Sequence, residues 1–600
     1  MGEIIYSDEQ LRVINSRGKN ILVSAAAGSG KTTVLVERII KKITDKDAPV
    51  DIDRILVLTF TESAAAEMRS RIENALETAL AVDPDNEQLL RQSVLIHNAQ
   101  ISTIHGFCLS LIHNNFSEIG IDPSFRVAET GEIKLLEAKV ADELIEEMFE
   151  SEQAEKILLL ADRFAASGSL NGLKDIIIDT YGVCRNNPFV REYIKEREND
   201  YLLDDIDALF DTAWGRELKD TTDKLLKQAR SLTEYNIALT ESAGGPFMYR
   251  DALKSDLDLI GQTDDARTYS EYYSILRRPD FARLSSKKSP DVSDESKELS
   301  KFYRECVKSI LSDLSKHFFC LPEEAILKGM RANRDITEAL AYTLLKYDSK
   351  LEAEKQRRKI IDFSDMEHYA LRILLTKENG EYVPSRCALD YRDIYDEIMV
   401  DEYQDSNLVQ EKILEAISGD DIAKYNRFMV GDVKQSIYSF RKACPELFME
   451  KYETYNADDT GVRIDLSANY RSRKEVVDSI NYVFERIMAK DLGGIAYDNE
   501  ARLNAGAKYP ENDEDHTTEF IIAESDKNSK KSKVEQEAEC VANRIRELVG
   551  KYTVCEKECM RPCRYSDIVI LLRSGKNVSD VFYDVLNRNG RSERASDACE

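Results

Sequence analysis

The 600-residue chain carries 111 acidic and 83 basic side chains, which give a formal net charge of −28 at pH 7. Hydrophobic residues make up 42% and charged residues 32%, a balance typical of proteins with packed cores, and the length predicts several domains. We find neither a secretory signal nor an apolar run near the ~20 residues of a membrane-spanning helix, so we predict a soluble, cytoplasmic protein without a membrane partner. The net charge alone does not exclude nucleic acid, because binding depends on the local groove.

The first 118 residues alternate short apolar runs with helical patterns. The runs Ile21–Val23 and Ile55–Leu58 are each followed by a polar turn and then by a helix-like segment. This alternation is typical of a parallel sheet covered by helices, so the fold class that we predict is α/β.

The first apolar run leads into a glycine-containing loop. This segment, Ser24–Thr33, contains Gly-Ser-Gly-Lys-Thr and precedes the helical pattern Val34–Ile40. Glycines let successive backbone N–H groups turn inward, and the N-terminus of a helix favours anions. The segment therefore predicts a phosphate-binding loop in which Lys31 reaches the β- and γ-phosphates of a nucleotide and Thr32 binds Mg²⁺. One departure is Ala25, which stands where the strict pattern has its first glycine.

From residue 119 to residue 355 the pattern becomes helical. Steps of three and four residues mark one apolar helix face, which consists of Ile133, Leu136, Val140, Leu144 and Met148. The polar segment 284–301 is interpreted as a loop or linker within the same helical domain. We therefore predict a large all-helical insertion.

Strand patterns resume after the helical block. Between residues 356 and 465 the apolar runs are Ile398–Val400, Phe428–Val430 and Val462–Leu466. The helical block is accordingly interpreted as an insertion into one α/β domain. Residues 466–600 predict the start of a second α/β unit, with Phe520–Ala523 and Ile568–Leu572 as candidate strands.

Two neighbouring acids follow the run Glu397–Val400, a strand of the buried type. Carboxylates at the carboxyl end of a central strand can hold Mg²⁺ and position an attacking water. This pattern predicts that Asp401 binds the metal and that Glu402 orients the water as a base. Two solvated acids at the end of a strand are the alternative interpretation.

Three cysteines, Cys555, Cys559 and Cys563, stand at C-x3-C-x3-C spacing. Three thiolates could hold a metal or an iron–sulfur cluster, but this spacing is wider than that of a zinc knuckle and lacks an obvious fourth ligand. A solvent-exposed insertion before the candidate strand Asp567–Leu572 is favoured over a metal site.

Eight ordered segments resemble those of superfamily 1A DNA helicases of the UvrD, Rep and PcrA type. They are Ser7–Gln10, Ala25–Thr33, Leu58–Thr61 with Ala64–Met68, Ser102–Phe107, Asp362–Asp365, Asp401–Asp405, Gly431–Arg441 and Asn469–Ser472. This family commonly accepts alanine at the first loop position. The resemblance implies a RecA-like P-loop NTPase domain 1A (1–118 and 356–465), a helical insertion 1B (119–355) and an incomplete second RecA-like domain 2A (466–600).

The resemblance also implies a role for each matched residue. Those implied to bind ATP are Gln10, Ser24, Ala25, Ala26, Ala27, Gly28, Ser29, Gly30, Lys31, Thr32, Thr33, Tyr470 and Arg471. Those implied to act in catalysis are Lys31, Asp401, Glu402, Gln435 and Arg471, with Thr32 and Asp401 on Mg²⁺. Those implied to line a single-stranded DNA path are Thr59, Phe60, Thr61, Thr103, His105, Tyr438 and Phe440.

Two features favour the branch of AddA, the helicase–nuclease component of the AddAB (RecBCD-like) break-processing machines. The gap from His105 to Asp401 is long, and Val433, Lys434 and Phe440 stand where UvrD-type proteins usually have acids and tryptophan. The implied function is an ATP-dependent 3′→5′ DNA helicase or translocase motor in DNA repair and recombination, with an AddB-like protein as its partner.

Family segments V and VI and a RecB-type nuclease are not found before Glu600, so we expect a chain that is cut within domain 2A and hydrolyses ATP poorly alone. Three alternatives stay open: a UvrD/PcrA-type repair helicase, a DNA-binding module switched by ATP without unwinding, and a scaffold that holds a partner. The motifs predict the same nucleotide site in all of them.

Overall fold

The computed structural model describes residues 6–45, 47–165, 169–287, 289–438, 440, 442–456, 460–490, 495–510, 515–524, 531–556 and 559–589. The chain divides into two compact units, one formed by Met1–Asn114 with Tyr369–Glu600 and the other by Asn115–His368. The first, which we call the sheet unit, carries a parallel sheet; the second, the helical unit, is almost entirely α-helical.

The N-terminal part of the sheet unit alternates strands and helices. Its elements are α1 (Asp8–Asn15), β1 (Asn20–Ala25), α2 (Lys31–Ile43), β2 (Ile55–Thr59), α3 (Glu62–Val82), α4 (Glu87–Leu95), β3 (Ile101–Thr103) and α5 (Ile104–Asn115). The two predicted strands are found in β1 and β2, and the predicted helix lies within α2. Helix α1 begins with a reciprocal cap, because Ser7 accepts from the N–H of Gln10 and the Gln10 side chain accepts from that of Ser7.

Long helices dominate the helical unit. Its elements are β4 (Arg126–Val127), α6 (Thr130–Glu150), α7 (Ala154–Phe164), α8 (Asn171–Cys184), α9 (Val190–Arg197), α10 (Ala213–Glu241), α11 (Arg250–Gly261), α12 (Tyr269–Leu276), α13 (Asp294–Asp313), α14 (Glu323–Arg358) and β5 (Ile360–Ile361). The predicted apolar face of α6 is buried at all five positions. The loop prediction for 284–301 is wrong from Asp294 onward, because Ser293 caps α13 by accepting from the N–H of Ser296.

The remaining elements begin with α15, which crosses into the sheet unit. They are α15 (Phe363–Leu374), β6 (Leu375–Glu378), β7 (Glu381–Pro384), α16 (Arg386–Ile394), β8 (Glu397–Val400), α17 (Leu408–Ile417), β9 (Arg427–Gly431), α18 (Pro445–Thr454), β10 (Gly461–Leu466), β11 (Ala468–Asn469), α19 (Lys474–Ile487), β12 (Asn504–Ala505), α20 (Lys533–Leu548), β13 (Thr553–Glu556), β14 (Cys559–Pro562) and α21 (Ser579–Asn589). The three strands predicted between 356 and 465 lie in β8, β9 and β10.

Six strands form one sheet in the order β10-β1-β9-β8-β2-β3, and every neighbouring pair is parallel. Both faces are buried, since Ile21 and Leu22, whose side chains point to opposite faces of β1, are both almost fully covered. The face that includes Ile21 and Val57 packs against Leu35, Ile39 and Ile72 of the helices. The prediction of an α/β protein with a parallel sheet and many helices is confirmed. In a parallel sheet all carboxyl ends share one edge, and that edge gathers the singled-out segments that follow β1, β2, β3, β8 and β9.

The predicted strands Phe520–Ala523 and Ile568–Leu572 are wrong. Neither run forms a strand, and Phe520 and Leu571 are 89% and 90% exposed. An apolar run becomes a strand only when a neighbour pairs with its backbone and a core covers its side chains. Both runs are apolar, but among the described residues no strand pairs with them, and no core covers Phe520 or Leu571.

Two of the three spaced cysteines, Cys555 and Cys559, lie in the strands β13 and β14 of a hairpin, and Cys563 directly follows it. Residues directly opposite share a face, and the register pairs Cys555 with Met560 but Glu556 with Cys559. Cys555 and Cys559 therefore point to opposite faces, and Cys563 is buried beyond the hairpin. Among the described residues no group of three or more histidine, cysteine or acidic side chains is arranged to hold a metal ion. No helix in the described ranges combines the length and apolar character needed to cross a membrane.

Candidate functional site

The carboxyl edge of the sheet arranges the predicted segments by strand order. The phosphate-loop candidate follows β1, the segment from Asp432 follows β9, the two acids follow β8, and Thr59–Thr61 ends β2. Because β9 lies between β1 and β8, the loop and the acids are separated by one strand. In strand order, the edge therefore places the phosphate-loop candidate beside the segment from Asp432, followed by the two acids and then by Phe60.

Glycine is required at two positions of the loop. Gly28 and Gly30 adopt φ angles of 72° and 84°, the left-handed region that L side chains rarely adopt. Ala25 is the last residue of β1 and fully buried, so its extended backbone needs no glycine. The departure from the strict pattern thus falls where alanine costs nothing.

The residues of the phosphate-loop candidate lie partly in a strand, partly in a turn and partly in a helix. Ser24 and Ala25 belong to β1, Ala26 to Gly30 form the turn, and Lys31, Thr32 and Thr33 form the first turn of α2. Ser29 is 1% exposed, and within the described part of the chain its hydroxyl has no hydrogen-bond partner. A buried hydroxyl without a partner is uncommon and fits a loop built to take a polar ligand.

Gln10 lies against the loop rather than open to solvent. Its side-chain N–H donates to the carbonyl of Ser29 at 3.0 Å, and its side-chain oxygen accepts from the N–H of Ser7 at 2.9 Å. A Cβ on Gly30 would come within 3.3 Å of the same amide. Gln10 thus braces the loop from α1.

Lys31 meets the paired acids. Its Nζ lies 2.8 and 3.0 Å from the two carboxylate oxygens of Glu402, although 371 positions separate the residues. Glu402 has a φ of 53°, a strained backbone conformation that concentrates at functional sites. Burial and the neighbouring Glu402 carboxylate raise the pKa of Asp401 to about 6, against the opposing effect of Lys31. One cation therefore faces two crowded carboxylates.

The segment Asn469–Arg471 closes over the loop. Asn469 donates from its side chain to the carbonyl of Ala27 at 2.8 Å, and the N–H of Tyr470 donates to the carbonyl of Gly28 at 2.8 Å. A Cβ on Gly28 would lie 2.9 Å from the Cβ of Arg471. Tyr470 and Arg471 are thus brought to the loop, and Asn469, for which no role was predicted, is the residue that fastens them.

Three aromatic rings form a row beside the acids. Phe60 and Tyr438 have ring centroids 4.8 Å apart, and Tyr438 and Phe440 5.6 Å apart. Phe440 is 75% exposed. The structure therefore unites the three predicted aromatic residues from two distant parts of the sequence. Ser439 and Arg441 of the same predicted segment lie outside the described residues.

The predicted threonines are engaged with the protein. The hydroxyl of Thr59 donates to the carbonyl of Thr61, Thr61 caps α3, and the hydroxyl of Thr103 donates to Glu62 at 2.7 Å. Thr59 and Thr103 are buried. These side chains shape the loops after β2 and β3, while His105, half-buried, begins α5 beside them.

Gln435 and the acids are connected by residues without a predicted role. Gln435 donates from its side chain to Asp432 at 2.8 Å, and the N–H of Asp432 donates to the side chain of Gln404 at 2.9 Å. Gln404 in turn donates to Glu402 at 2.9 Å. Gln404 stood inside a recognised segment, but its partner Asp432 follows β9, 28 residues later, and could be found only in three dimensions.

The segment Asp362–Asp365 lies in the helical unit, in a buried cluster of charges. Arg185 contacts both aspartates at 2.6 to 3.0 Å, and Lys355 contacts both at 2.6 and 2.9 Å. Each aspartate also accepts from the backbone N–H of the other at 2.8 Å. Two cations balance two anions here.

The comparison with known families follows this geometry. Residues 6–456 match the model of the UvrD/REP helicase N-terminal domain. The chain belongs to the UvrD/REP helicase family. The matched stretch includes the loop, both acids and the aromatic row, together with the whole helical unit.

Several relatives share one name, that of the A subunit of an ATP-dependent helicase/nuclease. The protein of Lachnoclostridium phytofermentans is 43% identical over 98% of this chain and 46% of its own length. Those of Clostridium beijerinckii and Geobacillus thermodenitrificans are 37% and 38% identical over 98% and 95% of this chain, and 50% and 47% of their own lengths. The chain thus spans about half the length of the curated relatives that it matches.

Proposed function

We propose that this chain is the motor part of an AddA-like helicase–nuclease, an ATP-driven 3′→5′ translocase on single-stranded DNA. The observation that carries the proposal is the shared edge of the sheet. The Lys31–Glu402 pair and the ring row of Phe60, Tyr438 and Phe440 follow neighbouring strands. Hydrogen bonds of Gln404 connect Glu402 with Asp432, the first residue of the segment that carries Tyr438 and Phe440. A translocating motor needs such a connection between ATP hydrolysis and DNA binding.

Lys31 binds the β- and γ-phosphates of ATP in this proposal, and Glu402 takes the proton of the attacking water. Thr32 and Asp401 hold Mg²⁺, a hard cation that prefers the hydroxyl and carboxylate oxygens that they offer and that neutralises charge on the phosphates. Gln435 and Arg471 approach the γ-phosphate, Gln10 and Tyr470 the adenine. The unpartnered hydroxyl of Ser29 supports the loop as the phosphate cradle.

Single-stranded DNA passes along the aromatic row, because stacked bases bind aromatic faces whatever their sequence. The loops after β2 and β3, with Thr59, Thr61, Thr103 and His105, continue the path. Closure of two RecA-like domains on ATP and their release after hydrolysis would convert the chemistry into movement.

The domain layout in the proposal assigns 1–118 and 356–465 to domain 1A, 119–355 to 1B and 466–600 to 2A. An AddB-like protein is the proposed partner, since the relatives are named as one subunit of a helicase/nuclease. Duplex ends are the proposed entry substrate.

DNA-stimulated ATP turnover tests the nucleotide site. Lys31→Ala should weaken the binding of a fluorescent ATP analogue and remove turnover, because the phosphates lose their cation. Glu402→Gln should retain binding but lower turnover by about 10²- to 10⁴-fold, the range for a lost general base. Because we expect the chain to hydrolyse ATP poorly alone, turnover at saturating oligo-dT is measured with each variant placed in the intact motor and compared with that of the unmutated motor.

Lys41→Ala is the matched control. Lys41 lies in the last turn of the same helix α2 and bonds with Asn15 on the surface, so turnover and binding should stay within twofold. Wild-type turnover in Glu402→Gln would refute the assigned role. A chain that binds ATP and DNA and hydrolyses ATP, but neither moves nor separates strands, would instead be an ATP-switched DNA-binding module.

A further inference from the structure

Gln404 connects Glu402, the proposed catalytic base, by hydrogen bonds with the segment that begins at Asp432 and carries Tyr438 and Phe440. Its side chain is 1% exposed and lies in the turn Tyr403–Asp405 that follows β8. The Nε2 group donates to Oε2 of Glu402 at 2.9 Å, and Oε1 accepts from the N–H of Asp432 at 2.9 Å. Since an N–H can only donate, the amide has one workable orientation.

Asp432 anchors the segment on the other side. It directly follows strand β9 and caps the turn Val433–Gln435, where its carboxylate accepts from the N–H of Lys434 at 3.1 Å and from the side chain of Gln435 at 2.8 Å. Three residues further on, Tyr438 packs against Phe60. The hydrogen bond between Asp432 and Gln404 thus lies at the start of the segment that carries the proposed phosphate sensor Gln435 and two rings of the row, Tyr438 and Phe440.

The backbone of β9 comes unusually close to this amide. A Cβ on Gly431 would lie 2.3 Å from Oε1 of Gln404 and 3.1 Å from the Phe448 ring. Real Cβ atoms essentially never come so close, so a glycine is needed here for space. The contact between the two segments therefore leaves no room for Gln404 to move independently.

We propose that Gln404 is the positioning residue that couples nucleotide binding to DNA binding, an inference that rests on the proposed function. When Lys31 leaves Glu402 for a phosphate, Glu402 is freed to move, and Gln404 must follow or lose a buried hydrogen bond. Leaving a buried donor or acceptor without a partner is costly, so Asp432 and the ring segment shift with it. The ATP site and the ring row then change state together.

Coupling between two ligands is reciprocal, which gives a direct measurement. The affinity for fluorescent oligo-dT is measured with and without the Mg²⁺ complex of a non-hydrolysable ATP analogue, and the affinity for the analogue with and without oligo-dT. In the wild-type chain each ligand should change the affinity of the other by the same factor, about 5- to 150-fold. Gln404→Met, similar in length but without the amide, should bring that factor to within twofold of one.

Gln92→Met is the matched control. Gln92 is fully buried in the same unit and makes the same two kinds of bond, accepting from the N–H of Ile52 at 2.8 Å and donating to Asp51 at 2.8 Å. It lies away from the carboxyl edge, so its variant should lose stability but keep the wild-type coupling factor. Loss of coupling in both variants would mean a general structural effect and would overturn the proposal.

A second variant acts from the other side of the contact. Gly431→Ala keeps every polar group but pushes against the Gln404 amide, and it should lower the coupling factor several-fold. A wild-type factor in either soluble edge variant overturns the role of Gln404, as does a wild-type chain that binds both ligands without coupling. If the wild-type chain binds no nucleotide or no DNA, the proposed function fails first and the coupling role with it.

Discussion

Asp401, half-buried in the sheet unit, and Asp362, buried in the helical unit, have opposite electrostatic environments. At the sheet edge, Asp401 is crowded by burial and by Glu402 against a single cation, and its pKa is raised to about 6. In the helical unit, burial would also raise the pKa of Asp362, but Arg185 and Lys355 outweigh it and hold the pKa well below its usual range. The first carboxylate is left with an excess of negative charge, whereas the second is fully compensated.

The same contrast extends to the surroundings. At the sheet edge Glu402, the neighbour of Asp401 in sequence, has a left-handed backbone, and the buried Ser29 hydroxyl of the loop after β1 has no partner among the described residues. Around Asp362 each carboxylate oxygen meets a cation or a backbone N–H. Uncompensated charge and strain mark a site prepared for a ligand, while a balanced cluster serves the fold.

The largest expected effect breaks the balanced cluster. Arg185→Met leaves two buried carboxylates with one cation and should destabilise the helical unit by about 3–5 kcal/mol, the usual cost of removing one partner from a buried ion pair. The only tryptophan of the chain, Trp214, lies in α10 of this unit, so its fluorescence during urea unfolding reports on the right part of the molecule.

Arg216→Met is the control. Arg216 is exposed near the start of α10, the helix that contains Trp214, and its substitution should change the free energy of unfolding by less than about 0.5 kcal/mol. Nucleotide affinity under native conditions should be unchanged in both variants. If Arg185→Met weakened nucleotide binding while the helical unit stayed stable, the cluster would have a functional role and the contrast drawn above would be wrong.

The next largest effect concerns DNA binding at the sheet edge. Tyr438 is the central ring of the row, and Tyr438→Ala should weaken oligo-dT binding by about 5- to 150-fold, or ~1–3 kcal/mol for one stacked base. Trp214 fluorescence should show no change in the stability of the helical unit. Tyr482, 61% exposed on α19, provides the control Tyr482→Ala, which should bind DNA within twofold of wild type. Equal losses in both variants would argue against the row as the DNA path.

Much of the sheet edge could be predicted because its causes are local. The positive φ angles at Gly28 and Gly30 require glycine, and a lysine at the start of a helix after such a turn has few other uses. Parallel strands bring their carboxyl ends to one edge, so Lys31 and Glu402 could be expected to meet despite their distance in sequence. That expectation is confirmed by their ion pair.

Other features depended on partners that no local pattern reveals. Gln404 owes its position to a backbone N–H on another strand, and the fastening of Tyr470 by Asn469 depends on the carbonyls of the loop. The strand predicted for Phe520–Ala523 was wrong for the same reason, since a short apolar run does not specify the neighbour with which it would pair. The hydrogen-bond partners of side-chain amides and the pairing of strands depend on the assembled fold, so a local sequence pattern does not predict them.

The smallest expected effect uses pH to separate the compensated carboxylate from the rest. Because the pKa of Asp362 is lowered in the folded chain, its contribution to stability is complete above the unfolded value near 4 and is lost as pH falls through the folded value. The stability difference between wild type and Asp362→Asn, followed by Trp214 fluorescence, should therefore be constant from pH 7 to about pH 5. Below pH 4 it should shrink with a slope of at most about 1.4 kcal/mol per pH unit, the limit for one proton. A difference that grew on acidification would mean that the folded pKa of Asp362 is raised, as it is for Asp401, and the two aspartates would no longer differ in kind.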